Sequence, residues 1–303
     1  MRTLITGASG FLGAQVTRAM VTAGHDVVAL TRAREIPPRL RGLEERITLA
    51  SGELADTAAI RAVVAAARPE VCLHLAWYAE PGKYLSAPEN LPALKASLEL
   101  FEILAATGCR RVVGAGTCAE YDTDAGFLRE EGATRPATLY AAAKLSLCLL
   151  GEQLAQAAGM SFAWARIFYP YGPGEDERRL VAAAIGAVLD GREFAATPGE
   201  QVRDYLHVTD VAAAFRVLAE CDASGVFNVA SGVPVTVRHL LETVGRVTGR
   251  PELIRVGALP YRAWEPMMIC GNVSRLKALG WVPSFALESG LEDTVSWWRR
   301  RRT

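Results

Sequence analysis

The chain has 303 residues, half of them hydrophobic, and its 33 basic residues balance 33 acidic residues. A chain this rich in apolar residues folds rather than staying disordered, and its length predicts about two domains. The formal net charge of zero argues against a nucleic-acid partner, which normally requires a basic surface. No run approaches about 18 consecutive apolar residues, so no membrane span is expected.

Short apolar runs alternate with helical patterns over the first two thirds of the chain. Strands are predicted at residues 3–6, 26–31, 47–50, 71–75, 111–114 and 161–166, and helices at 11–23, 56–67, 89–107 and 138–158. Strands that are apolar on both faces and alternate with helices indicate a parallel sheet covered on both sides. Right-handed crossovers then predict an α/β doubly wound fold.

The regular alternation of strands and helices ends at a turn-rich stretch, residues 169–174. We therefore predict one domain at residues 1–168 and a smaller mixed α/β domain at 169–303, with residues 200–230 returning to the first. Helices are predicted at 179–190, 210–220, 236–248 and 287–299, and strands at 202–208 and 252–256. Asp210 is predicted to cap its helix, and four tryptophans are predicted to be core residues: Trp264, Trp281, Trp297 and Trp298.

The six cysteines indicate a reducing compartment. None is spaced as a CxxC pair, and Cys72 and Cys148 lie inside apolar runs, where a free thiol behaves as a small hydrophobe. No zinc-ligand spacing is present, so no metal is expected. The chain enters an apolar strand at residue 3, which leaves no room for a signal peptide, and a cytoplasmic location is expected.

A glycine-rich loop follows the first strand and opens the first helix. Gly7, Gly10 and Gly13 permit a tight turn and a close approach of the backbone to a pyrophosphate, and the helix N-terminus offers N–H groups to the anion. The context of a βαβ unit makes this run a dinucleotide-binding loop. The side chains predicted to line the cofactor here are Ser9, Phe11 and Leu12.

The spacing Gly-x-x-Gly-x-x-Gly, within residues 6–13, resembles the extended short-chain dehydrogenase/reductase family. Its members are NAD(P)-dependent sugar-nucleotide epimerases, dehydratases and ketoreductases with a Rossmann fold. The resemblance extends over nearly the whole chain. It implies further cofactor contacts after the third, fourth and sixth strands, at Glu53, Leu54, Leu75, Ala76 and Phe168.

The end of the second strand bears on the choice between NAD and NADP. Thr31 stands where a carboxylate would bind the ribose hydroxyls of NAD. Arg32 and Arg34 follow it, and a guanidinium binds a 2′-phosphate through paired hydrogen bonds. The sequence therefore predicts NADP(H).

Tyr140 and Lys144 form a YxxxK pair on one face of a predicted helix. A tyrosine with its ordinary pKa of about 10 is a poor acid or base at neutral pH, and a neighbouring ammonium lowers that pKa. The family resemblance implies that both residues contact the cofactor and that Lys144 holds the nicotinamide ribose. It also implies that Thr117, four residues before Tyr121, completes the catalytic set and hydrogen-bonds the substrate carbonyl.

The neighbours of Thr117 restrict the reaction. Family dehydratases carry Asp-Glu directly after this threonine, whereas this chain has Cys118 and Ala119. Hydride transfer with one proton remains, and we predict an NADPH-dependent 4-ketoreductase of a nucleotide-linked keto-sugar, such as a 4-keto-6-deoxyhexose. The alternatives are an epimerase with a transient keto intermediate, a reductase of a ketone or aldehyde without a nucleotide, and a non-catalytic NADP-binding sensor.

The substrate is predicted to be a nucleoside diphosphate sugar. In the motif at residues 203–212 the resemblance assigns Arg203 to the diphosphate, which suits its planar, permanently charged guanidinium. Tyr169 replaces an asparagine that often contacts the sugar phosphate in the family. The sugar is expected to meet Trp77, Tyr78 and Lys83. Helices 89–107 and 138–158 are apolar on more than one face, and the resemblance implies a homodimer through a four-helix bundle.

Overall fold

The computed structural model describes residues 1–261 and 265–302. The strands, in chain order, are β1 (Arg2–Thr6), β2 (Asp26–Thr31), β3 (Ile47–Ser51), β4 (Val71–His74), β5 (Arg111–Thr117), β6 (Phe127–Leu128), β7 (Ser161–Ile167), β8 (Tyr169–Tyr171), β9 (Phe194–Ala196), β10 (Val202–Arg203), β11 (Tyr205–His207), β12 (Gly225–Val229), β13 (Val235–Thr236), β14 (Ile254–Val256) and β15 (Cys270–Gly271). The helices are α1 (Phe11–Thr22), α2 (Thr57–Ala67), α3 (Asn90–Ala106), α4 (Leu139–Ala157), α5 (Leu180–Leu189), α6 (Val208–Glu220), α7 (Val237–Thr248), α8 (Ser274–Lys277) and α9 (Leu287–Arg302).

Seven parallel strands form the central sheet, in the order β12-β7-β5-β4-β1-β2-β3. Helices α1 and α6 cover one face, and α2, α3 and α4 cover the other. In β5, Val113 packs towards α1 and α6, while Val112 packs towards α3 and α4, because successive side chains point to opposite faces. The α/β doubly wound, Rossmann-type fold is thereby confirmed.

The C-terminal part adds a smaller core beside the carboxyl end of the sheet. Helices α5, α7 and α9 pack around Ile185, Leu241 and Leu291, and short strands pair as β9–β14, β10–β13 and β8–β11. Within residues 200–230, α6 packs on α1, and β12 forms the edge of the central sheet. The division of the chain at residue 168 remains a prediction.

Two details of this part differ from the sequence analysis. The predicted strand at 202–208 is two strands, because residues 202–203 pair with β13 whereas residues 205–207 pair with β8. Between them, the buried carboxylate of Asp204 accepts N–H bonds from Ser231 (2.7 Å) and Gly271 (3.1 Å). The predicted cap at Asp210 is wrong: α6 already begins at Val208, and Asp210 accepts instead from the N–H of Ser284 at 2.8 Å.

The tryptophan predictions have three outcomes. Trp281 and Trp298 are buried, Trp297 is half-buried, and Trp264 lies outside the described residues. Within residues 1–261 and 265–302, no helix is long and apolar enough to cross a membrane.

Candidate active site

The predicted site residues collect at the carboxyl edge of the central sheet. The glycine loop follows β1, Leu75 and Ala76 follow β4, and Thr117 ends β5. Strands β1 and β4 are neighbours, and the strand order reverses between them. Open α/β sheets bind ligands in the crevice at such a switch point.

The glycine loop is a cradle that side chains would fill. Gly7 has a φ of +67°, and a Cβ there would lie 2.7 Å from the amide nitrogen of Ala76. A Cβ on Gly13 would lie 2.0 Å from the carbonyl oxygen of Gly7. Gly10 precedes α1 without a side-chain cap, so the first-turn N–H groups are available to a pyrophosphate. Ser9, Phe11 and Leu12 are half-buried along this loop.

The adenosine end of the crevice lies after β2 and β3, whose last residues, Thr31 and Ser51, are paired. The buried hydroxyl of Thr31 donates to the carbonyl of Ala33 at 3.0 Å. Arg32 and Arg34 are exposed beside it, as is Glu53, while Leu54 packs against the core. The predicted adenosine contacts therefore share one edge of the crevice.

Of the other predicted cofactor contacts, Leu75 and Ala76 are bonded to Thr6, the residue before the glycine loop. The amide of Leu75 donates to the carbonyl of Thr6 at 3.2 Å, and that of Ala76 donates to the Thr6 hydroxyl at 3.2 Å. Phe168 follows β7 and is buried, with its N–H on the carbonyl of Val229 at 3.1 Å. These contacts hold the segment after β4 against the phosphate loop.

Thr117 starts a short turn whose ends are tied together. Its Oγ1 accepts the N–H of Ala119 at 3.2 Å, and its own N–H donates to Glu120 Oε1 at 2.8 Å. This reciprocal arrangement is a capping box. The sequence analysis did not use the T-x-x-E pattern that signals it, and so overlooked Glu120.

Tyr140 and Lys144 lie in the first turns of α4, which Thr138 caps by accepting the N–H of Ala141 at 3.2 Å. The ring of Tyr140 meets the ring of Tyr84 edge-on, with centroids 4.8 Å apart. Burial raises the pKa of the Tyr140 phenol, and a side-chain hydrogen bond with Thr117 acts in the opposite direction. The structure thus brings together Thr117 and Tyr140 as the sequence predicts.

Lys144 is buried against the sheet. Its Nζ donates to the carbonyl of Ala115 at 2.8 Å and lies 3.8 Å from the ring centre of Trp77. Burial lowers the pKa of Lys144 to about 7, against the opposing effect of Glu120. The predicted lowering of the Tyr140 pKa by Lys144 is not what this arrangement shows, because burial dominates and the ammonium is directed at Ala115 and Trp77.

The candidate sugar contacts after β4 have partners within the protein. Trp77 Nε1 donates to Asn90 Oδ1 at 2.9 Å, which holds the indole next to Lys144. Tyr78 donates to Glu80 at 3.1 Å, and the exposed Lys83 forms an ion pair with Glu80 at 3.0 Å. Of these three, Trp77 lies nearest the catalytic side chains, with its ring centroid 6.5 Å from that of Tyr140.

Arg203, the predicted diphosphate ligand, is buried beside Tyr169, with its guanidinium carbon 5.5 Å from that ring centre. It donates to the carbonyl of Val202 at 2.8 Å and forms a close ion pair with Glu265. Glu265 is remote in sequence from the motif and was overlooked. A phosphate at Arg203 therefore has to share or displace a carboxylate.

Three further side chains with unusual surroundings carried no sequence motif. Arg179, just before α5, lies over the ring of Tyr84 at 4.9 Å. Burial raises the pKa of Glu175 to about 8, and among the described residues its Oε2 has no hydrogen-bond partner. Tyr84 itself lies in a loop before α3, where only the tertiary structure reveals its contact with Tyr140.

A nicotinamide dinucleotide fits the glycine cradle, and comparisons with known proteins agree. The sequence profile of the NAD dependent epimerase/dehydratase family matches residues 3–230, so the chain belongs to that family. The resemblance to the extended short-chain dehydrogenase/reductase group is therefore confirmed.

Individual relatives are similar over nearly their full lengths. A UDP-glucose 4-epimerase from Corynebacterium glutamicum is 27% identical, over 97% of this chain and 94% of that protein. The solved UDP-glucose 4-epimerase of Thermotoga maritima, with UDP-glucose, is 26% identical, with a TM-score of 0.87 over 100% of both chains. The structure of MoeE5 with UDP-glucose and NAD is 27% identical, with a TM-score of 0.83 over 99% of both.

Proposed function

We propose that this protein is a sugar-nucleotide 4-epimerase that works through a transient 4-keto intermediate. One observation carries the proposal: the side chains of Thr117 and Tyr140 lie close enough to interact at the carboxyl edge of the sheet, beside Lys144. Cys118 and Ala119, directly after Thr117, supply no second acid or base. Burial raises the pKa of the neighbouring Cys118 thiol to about 12, so it stays neutral. The relatives described above support epimerisation rather than the net reduction that the sequence analysis favoured.

The proposed chemistry assigns one task to each residue. When bound, a nicotinamide dinucleotide supplies hydride uptake and return. Tyr140 takes the proton of the sugar hydroxyl as it is oxidised and gives it back when the carbonyl is reduced. Thr117 accepts the N–H of Ala119, so its own hydroxyl proton points to no main-chain acceptor and can be donated to Tyr140 or to the reacting oxygen. Lys144, when protonated, contributes positive charge that favours the phenolate.

A purified sample tests this function directly. We expect that denaturing the purified protein releases close to one nicotinamide dinucleotide per chain. In a panel of UDP-hexoses followed by NMR, we expect one sugar to be inverted at C4 without net NAD(P)H turnover. Tyr140→Phe should abolish the inversion. Stoichiometric consumption of NADPH with a nucleotide-linked keto-sugar, and no inversion, would contradict the proposal.

A net ketoreductase is the second candidate, and the cofactor site favours it. β2 ends in Thr31 without a carboxylate, and Arg32 is exposed directly after it. We infer that this edge accepts the 2′-phosphate of NADP(H), whereas the related MoeE5 was solved with NAD. A reductase draws on NADPH at every turnover, so this preference would suit it.

Calorimetric titration with NADP⁺ and NAD⁺ tests the cofactor preference. Arg32→Ala should weaken NADP⁺ binding by about tenfold or more and leave NAD⁺ binding unchanged. Arg110→Ala is the matched control, because Arg110 precedes β5 at the opposite edge of the sheet and pairs with Glu70. A wild-type protein that binds NAD⁺ more tightly would refute the assignment.

Two further features belong to the proposal. The outward faces of α3 and α4 expose Leu91, Leu149 and Leu150, which supports a homodimer through these helices. All six cysteines are unpaired and five are buried, which supports a reducing, cytoplasmic compartment. Trp77 and Arg203 are the candidate contacts for the sugar and the diphosphate.

A further inference from the structure

An indole lies across β5 directly beneath the proposed site. Gly114 pairs in register with Trp164, and Gly116 with Arg166, so all four share one face of the sheet. A Cβ on Gly114 would lie 2.4 Å from the Trp164 ring, and one on Gly116 would lie 2.2 Å from Trp164 Nε1. The two glycines therefore make the space that this indole occupies.

The indole and Arg166 hold a buried carboxylate. Glu120, with no exposed surface, accepts hydrogen bonds from Trp164 Nε1 at 3.0 Å, Arg166 Nε at 2.7 Å and the Thr117 N–H at 2.8 Å. Burial raises the pKa of Glu120, and the guanidinium of Arg166 acts against that rise. Because its polar neighbours here are donors, the carboxylate is held in its ionised form.

This carboxylate reaches Thr117 through the main chain. The capping box closes the turn from Thr117 to Glu120 and uses the Thr117 hydroxyl as an acceptor, so its proton remains available to Tyr140 or to a substrate. Loss of the Glu120 carboxylate would release the Thr117 N–H and allow the turn to loosen. The orientation of the Thr117 hydroxyl therefore depends on a residue that does not face the substrate crevice.

The same carboxylate lies near Lys144, because Trp164, whose Nε1 donates to Glu120, has its ring centre 6.0 Å from the Lys144 ammonium. The ionisable groups around this layer come from each packed element: His74 on β4, Tyr140 and Cys148 on α4, and Arg166 on β7. Burial lowers the pKa of His74 to about 3, so it is neutral beside Lys144. Glu120 is the charge that opposes the burial of Lys144.

We propose that Glu120 is a positioning residue for two of the three catalytic side chains. It fixes Thr117 through the capping box, and its buried negative charge favours the protonated form of Lys144. Its effect on turnover rests on the proposed function, but its effect on Lys144 does not.

Lysine NMR tests the charge effect without a substrate. The chain has only four lysines, so ¹³C-lysine-labelled protein gives few resonances, and Lys144→Met assigns the one of interest. We expect Lys144 to titrate near neutral pH in the wild type. In Glu120→Gln its midpoint should fall by about one pH unit or more, and in Glu120→Asp it should stay near the wild-type value.

Tyr121→Phe is the matched control. Tyr121 donates to Asn228 Oδ1 at 2.7 Å, and its ring lies 4.1 Å from the Arg166 guanidinium carbon. This variant loses a buried hydrogen bond in the same cluster, so its melting temperature should fall while the Lys144 midpoint stays fixed. An unmoved midpoint in Glu120→Gln, or an equal shift in Tyr121→Phe, would overturn the proposal.

A second variant keeps the proposal testable if Glu120→Gln does not fold. Glu120→Gln leaves Arg166 buried without its partner, which is costly, whereas removal of both charges is often tolerated. Glu120→Gln/Arg166→Met should therefore fold and should also lower the Lys144 midpoint. A double variant that folds but leaves the Lys144 midpoint unchanged would count against the proposal.

Steady-state kinetics provide a second test of the role of Glu120. In Glu120→Gln the pH profile of kcat should move to lower pH by about one unit, because the Lys144 and Tyr140 ionisations both respond to Glu120. A merely structural role would reduce the amplitude and leave the profile in place. If no substrate is turned over, the proposed function fails while the NMR result still decides the role of Glu120.

Discussion

The phenol of Tyr140 is packed between Tyr84 and Trp77, and that packing determines how it can act. Burial raises the pKa of Tyr140, so the phenol is neutral, and lowers the pKa of Lys144 to about 7, so the ammonium loses its proton readily near neutral pH. The phenolate of Tyr140 would be favoured by the positive charge that an oxidised nicotinamide cofactor supplies when bound. Catalysis at Tyr140 therefore depends on the positive charge that Lys144 and a bound cofactor would supply to this buried site.

Removal of the Tyr140 hydroxyl should stop the chemistry and spare the fold. In Tyr140→Phe we expect the rate to fall by about 10²- to 10⁴-fold, as is usual for a general acid or base, with cofactor binding retained. Tyr171→Phe is the control, since Tyr171 also loses a buried hydroxyl contact, 3.3 Å from the Leu287 carbonyl. Equal losses of rate in the two variants would contradict the role of Tyr140.

His74 gives the stability a defined pH dependence. It is fully buried between the hydroxyls of Thr6 (2.8 Å) and Ser97 (2.9 Å), and burial lowers its pKa to about 3. Between an unfolded pKa of about 6.5 and this value, the unfolded chain binds the proton and the folded chain does not. The contribution of neutral His74 to the free energy of unfolding is therefore complete above about pH 6.5 and is lost as the pH falls towards 3.

Urea unfolding at pH 7.5 and 4.5 measures this contribution. The wild type should lose about 3 kcal/mol of unfolding free energy through His74 between these values. His74→Gln should lack that part of the loss, whereas the exposed His239→Gln should behave as the wild type. An identical pH dependence in His74→Gln would show that another group is responsible.

Among the secondary-structure elements, the turn from β1 into α1 has the least freedom. The N–H of Gly10 donates to the Gly7 carbonyl at 2.9 Å, and that same carbonyl leaves no room for a side chain on Gly13. A strand, a tight turn and a helix N-terminus are thus fixed by contacts within seven residues. This local origin explains why the sequence alone predicts the loop.

A methyl group on Gly13 should therefore damage the cofactor site. Gly13→Ala is expected to destabilise the fold by about 1–3 kcal/mol through overpacking and to abolish dinucleotide binding in calorimetry. At Gly24 a Cβ meets open space, but φ is +81°, so Gly24→Ala should cost about 1 kcal/mol. Nucleotide binding should survive that control, and its loss there would show that stability alone is being measured.

Features without a strong local sequence signal were the ones that the sequence did not predict. Six of the seven central strands have strong apolar runs, but β12 was missed because its position beside β7 depends on residues far away in the chain. The pairing of Arg203 with Glu265 likewise spans 62 residues. Trp164 has no motif, and its place over Gly114 emerges only when β5 and β7 are brought together.

At the scale of the whole molecule, the apolar face of α3 and α4 is the main unpaired surface that we assign to a partner. Leu91 and Leu149 are each 56% exposed, although both helices pack on the sheet with their other faces. Helix α4 also carries Tyr140 and Lys144 near its start. Assembly through this face would therefore brace the helix that bears the catalytic residues.

Sedimentation velocity tests the assembly. The wild type should sediment as a dimer, and Leu149→Glu should produce monomers because it places a charge in an apolar interface. Val282 is 64% exposed and lies outside α3 and α4, so Val282→Glu should remain dimeric. A monomeric wild type, or dissociation in both variants, would contradict a dimer through these helices.

The contact between Lys144 and Trp77 has an optical consequence. A cation 3.8 Å from the centre of an indole perturbs the electronic states of that ring. The emission of Trp77 should therefore change when Lys144 turns towards a ribose or loses its proton. The difference between wild-type and Trp77→Phe spectra isolates this signal from the other tryptophans, so the protein contains its own fluorescent reporter of events at the catalytic lysine.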